Sequence, residues 1–317
     1  MTEFAGVPVI SVCVITYNHA AFIRDALEGI ARQRTNFPFE VVVSDDGSTD
    51  GTVELCRSFG WRLPGLRVAA ATSNRGALRN LLEALAMCRG RFVALCEGDD
   101  FWIDPDKLQL QFQALESRPD YSVCFHAAIV EYPDRHQEVW QPYGRRKVYD
   151  VSDLFKSWLM PTASVVFRNP IDYPPYVARA THGDLALFTY LARAGPIAYL
   201  DRIMSVYRKH PAGMMSTFVG VEFQRREVAF LLEMNQFFEG ALRGPVNRRV
   251  GALLRSIAIQ EAASGARRKA LTALREALPF SLSDPLGCIR DASKVALHGV
   301  LPARLTSALR NPRQRLS

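Results

Sequence analysis

The stretch that decides the fold of this chain is Phe92-Val93-Ala94-Leu95-Cys96-Glu97-Gly98-Asp99-Asp100-Phe101-Trp102. It begins as a short apolar run and changes abruptly to acidic side chains. A run of this length between two glycines is typical of a buried strand. The three carboxylates are therefore expected at the carboxyl end of that strand, at the rim of a sheet.

Three acidic side chains this close together repel one another unless a cation shares them. Mg²⁺ in enzymes is typically held by one or two carboxylates together with substrate phosphates, and Mn²⁺ suits the same ligands. The alternative is a solvated acidic turn that also caps the next helix, because acidic turns are common. The remainder of the chain has to distinguish these two interpretations.

Apolar runs and polar loops alternate along the first third of the chain, with helical periodicity between them. This order predicts an α/β domain with a mostly parallel sheet and helices on both faces. Ligands of such sheets bind beyond the carboxyl ends of the strands. No dinucleotide fingerprint or P-loop occurs in the sequence. The side chains expected to gather at that edge, beside the acidic cluster, are Thr16, Tyr17, Asn18, Asp45, Asp46, Asn74, Arg75 and Gly76.

The net charge of +7 is unevenly distributed over the 317 residues. From residue 241 onward there are 14 Lys and Arg against 4 Asp and Glu, and the preceding residues carry 25 against 28. A basic, mainly helical appendage from residue 218 favours contact with an anionic surface. A membrane surface is the favoured partner, with a solvated charged face as the alternative. Nucleic acid is not expected, because no supporting motif or aromatic platform is present.

The cysteines and the apolar segments indicate the compartment. The six cysteines form no CxxC pair and fall mostly in apolar stretches, as expected of buried thiols in a reducing environment. No apolar run approaches the ~20 residues needed to span a bilayer. We therefore expect a cytoplasmic protein, touching the inner face of the plasma membrane only peripherally.

Six short motifs follow one another in a fixed order. They are TYN at residues 16–18, SDDGSTDGT at 44–52, NRGALRN at 74–80, EGDDFW at 97–102, GD at 183–184 and YRKH at 207–210. Together they resemble glycosyltransferase family 2, the inverting enzymes with the GT-A fold. The resemblance implies a GT-A domain over residues 1–217, followed by a basic helical region over residues 218–317.

The resemblance also implies the donor and the metal. The donor is a nucleotide sugar, commonly a uridine diphosphate sugar, with its base and ribose near the first and second strand ends and Arg75. Glu97-Gly98-Asp99 stands where the family has its DxD metal motif, so Asp99 is the expected ligand of Mn²⁺ or Mg²⁺. Glu97 and Gly98 are then donor contacts. Arg208 is expected at the diphosphate, because an Arg fork suits phosphate, and His210 at the diphosphate or the metal.

The acceptor-activating acid of the family corresponds to Asp184, which here follows Gly183 where the family often has Glu. A carboxylate at this position can take the proton of an acceptor hydroxyl, on a glycan or lipid-linked acceptor. The alternative for Asp184 is a helix N-cap. Trp102, Thr162 and Ser164 are candidate acceptor contacts, although aromatic side chains more often belong to a core.

Two other functions remain open at this point. A sugar-nucleotide pyrophosphorylase of related fold would need a glycine-rich, lysine-bearing phosphate loop near the amino end, and the sequence shows none. A nucleotide- or glycan-binding protein without turnover would keep the binding residues and lack catalysis. Incubation with nucleotide sugars distinguishes the enzyme from the binding protein.

Overall fold

The computed structural model of this chain describes residues 7–63, 65–169, 173–213 and 220–283. Within these ranges there are ten strands and nine α-helices. The strands are β1 (Ile10–Thr16), β2 (Phe39–Asp45), β3 (Arg67–Ala70), β4 (Phe92–Glu97), β5 (Phe101–Trp102), β6 (Val123–Glu131), β7 (Gln137–Trp140), β8 (Val148–Tyr149), β9 (Val166–Arg168) and β10 (Ile197–Arg208). The helices are α1 (Ile23–Ala31), α2 (Thr52–Ser58), α3 (Ala77–Met87), α4 (Lys107–Glu116), α5 (Pro175–Ala178), α6 (Gly183–Ala192), α7 (Val221–Phe237), α8 (Arg243–Ala263) and α9 (Arg267–Ala277).

The described strands form one sheet in the order β3-β2-β1-β4-β9-β6-β10-β5, with β7 beside β6 and β8 beside β10. The four strands from β3 to β4 are parallel to their neighbours. Beyond β4 the sheet is mixed, since β9 is antiparallel to both β4 and β6. The chain enters β9 near the carboxyl end of β4, where the Leu95 N–H donates to the Val165 carbonyl at 3.0 Å, so β9 has to run back. The α/β fold class is thus confirmed, and the parallel order is confined to the first four strands and the β6–β10 pair.

Both faces of the parallel half are covered by helices. Side chains alternate between the two faces along a strand. Val12 and Val14 of β1 therefore share a buried cluster with Ile23 and Leu27 of α1, while Cys13 points the other way, toward Cys88 at the end of α3. Each of these buried aliphatic side chains contributes roughly 1.5–3 kcal/mol to stability. The sheet edge that carries the polar loops is consequently anchored from both sides.

The described residues divide into two compact units. The first contains all ten strands and helices α1 to α6. The second contains Arg179–His182 and helices α7, α8 and α9. The predicted boundary at residues 217 and 218 lies outside the described residues, as do residues 284–317 of the predicted basic region. None of the helices in the described ranges combines the length and the apolarity needed to cross a bilayer.

The second unit is a three-helix arrangement in which α8 packs against α7 and α9. A buried ion pair joins α7 to α8, where the Arg249 Nε donates to the Glu227 carboxylate at 2.8 Å. Helix α9 buries only alanines, Ala270, Ala273 and Ala277. Its first turn exposes three consecutive cations, Arg267, Arg268 and Lys269. The basic character expected for this region is therefore displayed on an exposed helix end.

Candidate active site

The carboxyl ends of β1, β2 and β4 lie side by side. Thr16 is in register with Asp45 of β2, and Ile15 with Glu97 of β4. Three of the predicted motifs therefore begin at one edge of the sheet, as the parallel order of these strands requires.

The loop after β1 is fixed to the loop after β2 by polar contacts. The Asn18 N–H donates to the Ser48 hydroxyl at 2.8 Å, and the Asn18 side chain accepts from the Thr49 N–H at 2.9 Å. Asn18 itself has a positive φ of 53°, a conformation that Asn adopts more readily than most residues. Tyr17 projects from this loop and is 41% exposed. The predicted donor residues Tyr17 and Asn18 thus lie on an ordered loop.

Asp45 and Asp46 are buried and serve the loops directly. Asp45 accepts from the Gly47 N–H at 3.1 Å and the Ser48 N–H at 2.8 Å. Asp46 accepts from the Arg75 N–H at 2.9 Å and the Gly76 N–H at 2.8 Å. Both carboxylates therefore organise turns, and Asp46 holds the loop after β3 next to the loop after β2.

Asn74 and Arg75 lie on that third loop. The Asn74 side-chain Oδ1 accepts from the Gly76 N–H at 3.0 Å. The Arg75 guanidinium pairs with Glu83 of α3, with one N–H to Oε1 distance of 2.8 Å, and its side chain is 30% exposed. The structure thus brings Arg75 to the predicted edge, with its charge already partnered by Glu83.

The acidic cluster follows β4. Burial and the neighbouring charge of Asp99 and Asp184 raise the pKa of Glu97 to about 8. Burial, Asp99 and Glu97 raise the pKa of Asp100 well above its usual range. One Asp100 oxygen accepts from the Arg208 N–H at 2.9 Å, and the other is buried and has no hydrogen-bond partner among the described residues. A cation bound at this cluster would therefore be stabilised by the carboxylates.

Asp99 stands apart from its two neighbours, because two imidazoles approach it. The Asp99 Oδ2 lies 3.0 Å from the His210 Nε2 and 3.7 Å from the His19 Nε2. Burial opposes ionisation of Asp99, but the hydrogen bond with His210 and the charge of His19 lower its pKa overall. One potential ligand atom from each of these residues lies within 4.8 Å of the other two. The sequence predicted Asp99 and His210 as metal ligands, and the structure places them in contact.

His19 was not predicted. It follows TYN directly, and the only signal for it in the sequence is an imidazole in the first residues beyond β1. A loop of several residues leaves the direction of such a side chain open. The backbone of His19 is fixed because its main-chain N–H donates to the Thr52 hydroxyl at 2.9 Å and its main-chain carbonyl accepts from the Ile23 N–H at 2.8 Å, and from this position the imidazole reaches Asp99.

Gly98 provides the space in which these groups meet. A Cβ at this position would lie 2.7 Å from the Thr16 Oγ1 and 2.9 Å from the His19 Nδ1. Thr16 is only 2% exposed, and its Oγ1 and the His19 Nδ1 are buried without hydrogen-bond partners among the described residues. The glycine of the EGD motif is thus required by packing against the loop after β1.

We expect Gly98→Ala to destabilise the protein by about 1–3 kcal/mol, because overpacking a filled site displaces its neighbours. Moving His19 would also disturb the surroundings of Asp99. Chemical denaturation monitored by circular dichroism measures the effect. The control is Gly244→Ala, where an added Cβ meets nothing within 4 Å, and there stability should be unchanged or slightly higher. A Gly98→Ala protein as stable as the wild type would show that the loop after β1 accommodates the added Cβ without a loss of stability.

Asp184 begins α6 and lies near the acidic cluster. Helix α6 starts close to α3, since a Cβ on Gly183 would approach the Leu78 Cδ1 to 2.7 Å. The charge of Asp184 contributes to the raised pKa of both Glu97 and Tyr207, so its carboxylate is close to the strand ends. It also accepts from the Leu185 N–H at 2.8 Å. The contact with the helix start and the position near the cluster therefore coexist.

Arg208 lies at the end of β10, beside the acidic turn. Its guanidinium pairs with Asp25, donates to the Asp99 carbonyl at 3.1 Å and lies over the ring of Phe101 at 4.2 Å. The side chain is only 12% exposed. This arginine ties α1 and the acidic turn to the end of β10, with its charge paired to Asp25, and the diphosphate contact stays a prediction.

Two of the three predicted acceptor residues are interior. Trp102 is 3% exposed, and its indole N–H donates to the Ala163 carbonyl at 2.9 Å. Ser164 is fully buried and donates to the Pro161 carbonyl at 2.6 Å. Both side chains are held in the interior by apolar packing and internal hydrogen bonds, so neither can contact an acceptor from these positions. This corrects the prediction. Thr162 is half-buried at the start of the 3₁₀ turn Thr162–Ser164.

An α/β sheet whose parallel strands end in this carboxylate and imidazole cluster is the arrangement of nucleotide-sugar glycosyltransferases with the GT-A fold. Comparison with known families agrees with this class, because residues 11–172 match the family model described as Glycosyl transferase family 2. The chain therefore belongs to glycosyltransferase family 2.

Three similar proteins illustrate the relationship. The uncharacterized protein Rv1520 of Mycobacterium tuberculosis strain H37Rv is 38% identical over 206 residues, which are 64% of this chain and 60% of that protein. This chain thus spans about 60% of the length of the first curated relatives it matches. Staphylococcus aureus TarS 1–349, solved with UDP-GlcNAc, is 20% identical with a TM-score of 0.57, covering 95% of this chain and 86% of TarS. The mannosyltransferase PcManGT of Pyrobaculum calidifontis, solved with GDP-Man and Mn²⁺, is 17% identical with a TM-score of 0.50, covering 99% and 89%. The two solved structures share the fold of this chain.

Proposed function

We propose that this protein is an inverting glycosyltransferase that moves a sugar from a uridine diphosphate sugar to a hydroxyl of a glycan or lipid-linked acceptor. The observation that carries the proposal is the placement of Asp99, with its two imidazoles, and of Asp184 around one acidic cluster at the carboxyl ends of parallel strands. The complex of TarS, a protein of similar fold, with UDP-GlcNAc supports the choice of a uridine nucleotide.

The residues of the cluster fit a divalent cation, either Mn²⁺ or Mg²⁺. Asp99 and His210 would hold it, since a carboxylate oxygen and an imidazole nitrogen already lie 3.0 Å apart. The buried Asp100 oxygen, which has no hydrogen-bond partner among the described residues, and the raised pKa of Glu97 support a cation at this cluster. A bound cation would supply Lewis-acid stabilisation of the charge that develops on a departing diphosphate.

The protein side chains would bind the donor and accept the proton of the acceptor. Asp46 and the loop after β3, together with Thr16 to Asn18, would shape the pocket for the base and the ribose. Asp184 would accept the proton of the acceptor hydroxyl, on the face of the sugar opposite the leaving group. A single displacement of this kind inverts the anomeric centre. Arg208 would act indirectly, by holding the turn that carries Asp99.

We also propose different roles for the amino-terminal and carboxyl-terminal regions of the chain. Residues 1–217 would carry donor binding and catalysis, and residues 218–317 would form a basic helical region that meets an anionic membrane surface. The exposed cations at the start of α9 support this second role. Basic residues close to anionic lipid contribute about 1 kcal/mol each to membrane binding.

Donor hydrolysis tests the proposal without knowledge of the acceptor. The protein is incubated with Mn²⁺ and a panel of uridine, guanosine and thymidine diphosphate sugars, and the released nucleotide is quantified by chromatography. We expect slow release of UDP from at least one UDP-sugar, stopped by EDTA and restored by added Mn²⁺. Donors that bind in a thermal-shift assay and are never turned over, with any acceptor, would instead identify a binding protein.

A further inference from the structure

His19 shares the Asp99 oxygen with His210. The His19 Nε2 lies 3.7 Å from Asp99 Oδ2, and the His210 Nε2 lies 3.0 Å from the same oxygen. Ligand atoms bonded to one metal ion at about 2.0–2.2 Å are separated from each other by roughly 3–4 Å. The two distances to Asp99 fall in this range, and all three ligand atoms lie within 4.8 Å of one another, close enough to share one metal ion.

The orientation of His19 is built into the fold. Its main-chain N–H donates to the Thr52 hydroxyl. The main-chain N–H of the next residue, Ala20, donates to the Asp50 carboxylate at 2.9 Å. The imidazole packs edge-on against Phe22 at 6.3 Å and against His210 at 6.2 Å between ring centroids. A side chain restrained in this way loses little conformational freedom when it binds a ligand.

Gly98 gives a second, independent indication. The His19 Nδ1 is buried beside the Cα of Gly98, where an added Cβ would come within 2.9 Å, and it has no hydrogen-bond partner among the described residues. The ring is thus enclosed on its Nδ1 side, while its Nε2 is directed toward Asp99. An imidazole that served only as a surface charge would not need this enclosure.

The chemistry of the three ligand atoms discriminates between metals. Mg²⁺ prefers oxygen ligands and keeps several of its waters. Imidazole suits later first-row transition metals, whose affinity for a given site rises from Mn²⁺ to Co²⁺, and Mn²⁺ accepts oxygen ligands as well. Two imidazole nitrogens and one carboxylate oxygen make a poor Mg²⁺ site and a good site for a first-row transition metal.

We propose that His19 is a third protein ligand of the metal and that, through it, the site selects a transition-metal ion such as Mn²⁺ or Co²⁺ over Mg²⁺. This inference rests on the proposed function, in which Asp99 and His210 hold the cation. It narrows the predicted choice of Mn²⁺ or Mg²⁺ to the former.

Metal titration of the full chain tests the inference without an activity assay. Calorimetry measures the affinity for Mn²⁺, Co²⁺ and Mg²⁺, with the metal alone and again with UDP present, and the visible absorption of the Co²⁺ form reports its ligands. In His19→Ala we expect the Co²⁺ and Mn²⁺ affinities to fall at least about tenfold, as for the loss of a group that supports a metal site. The Co²⁺ spectrum should change, and Mg²⁺ binding should change little.

Two variants serve as controls. His136→Ala removes an exposed histidine that lies 3.3 Å from Glu138, and it should bind all three metals as the wild type does. His19→Gln keeps a polar side chain of similar reach and lacks the imidazole. If His19→Ala does not fold, the loss of Co²⁺ affinity in His19→Gln decides the question.

Two results would overturn the inference. One is an unchanged Co²⁺ affinity and spectrum in the folded His19 variant, and the other is wild-type protein that binds Mg²⁺ as tightly as Mn²⁺. In either case donor hydrolysis that still depends on a metal and on Asp99 would leave the proposed function standing. Donor hydrolysis that is insensitive to EDTA and to Asp99 would reject the metal site as a whole.

Discussion

Asp184→Asn is expected to lower the rate of donor hydrolysis, and of transfer to an acceptor, by roughly 10²–10⁴-fold, the usual loss when a general base is removed. Asn keeps an oxygen for the hydrogen bond from the Leu185 N–H, so the start of α6 should be retained. The donor KM should change little, because the proposed role of Asp184 is to take a proton from the acceptor. Steady-state kinetics with a hydrolysed UDP-sugar measures both quantities.

The control is Asp134→Asn, which alters an exposed aspartate whose carboxylate accepts from the His136 N–H at 3.1 Å. Its turnover should match that of the wild type. A variant of Asp184 with wild-type turnover and lowered stability would assign this carboxylate to the helix start alone. The base would then have to be sought among other acids near Glu97.

Asp99→Asn is expected to reduce metal-dependent turnover by roughly 10³-fold or more, since Lewis-acid stabilisation of the leaving group amounts to several kcal/mol. The affinity for Mn²⁺ should fall in parallel, because the amide cannot neutralise a cation. Stability should be slightly lower, because the hydrogen bond with His210 and the charge of His19 lower the pKa of Asp99, so the ionised carboxylate stabilises the folded protein. Donor hydrolysis, Mn²⁺ titration and thermal denaturation measure the three effects.

Asp120→Asn provides the matched control for Asp99. This aspartate pairs with Arg118 at 2.8 Å, and its side chain is 53% exposed, so its loss should leave turnover and Mn²⁺ affinity unchanged. Retention of metal-dependent hydrolysis by Asp99→Asn would place the cation on Glu97 or Asp100 instead. A strong loss of stability would show that the carboxylate matters chiefly for its contact with His210.

The parallel half of the sheet was predictable because its cause is local. Each of β1, β2 and β4 is a short apolar run that ends in a polar loop, and helical periodicity separates them. Parallel strands place their carboxyl ends at one edge, so the proximity of Thr16, Asp45 and Glu97 follows from the order of the elements. The mixed half was harder to predict, because β9 runs back between β4 and β6 only after a turn whose position depends on packing.

The roles of single side chains were less predictable, because they depend on partners distant in the sequence. Trp102 is drawn into the core by a carbonyl 61 residues away. Arg208 is neutralised by Asp25, which is 183 residues away. In both cases the residue type is compatible with a ligand site and with an interior contact. The partner in the tertiary structure determines which of the two contacts is made.

The sequence by itself determined the α/β class, the edge at which polar loops converge and the presence of the acidic cluster with Asp99 there, because hydrophobic periodicity and the order of strands fix these features. His210 was indicated by the family resemblance. The tertiary structure alone decided that His19 turns toward Asp99 and that Gly98 leaves room for it. It also showed that Trp102 is interior and that Arg208 is paired with Asp25. The physical reason is that the order of the strands brings the loops close together but does not set the direction of their side chains. That direction depends on hydrogen bonds and packing between the loops.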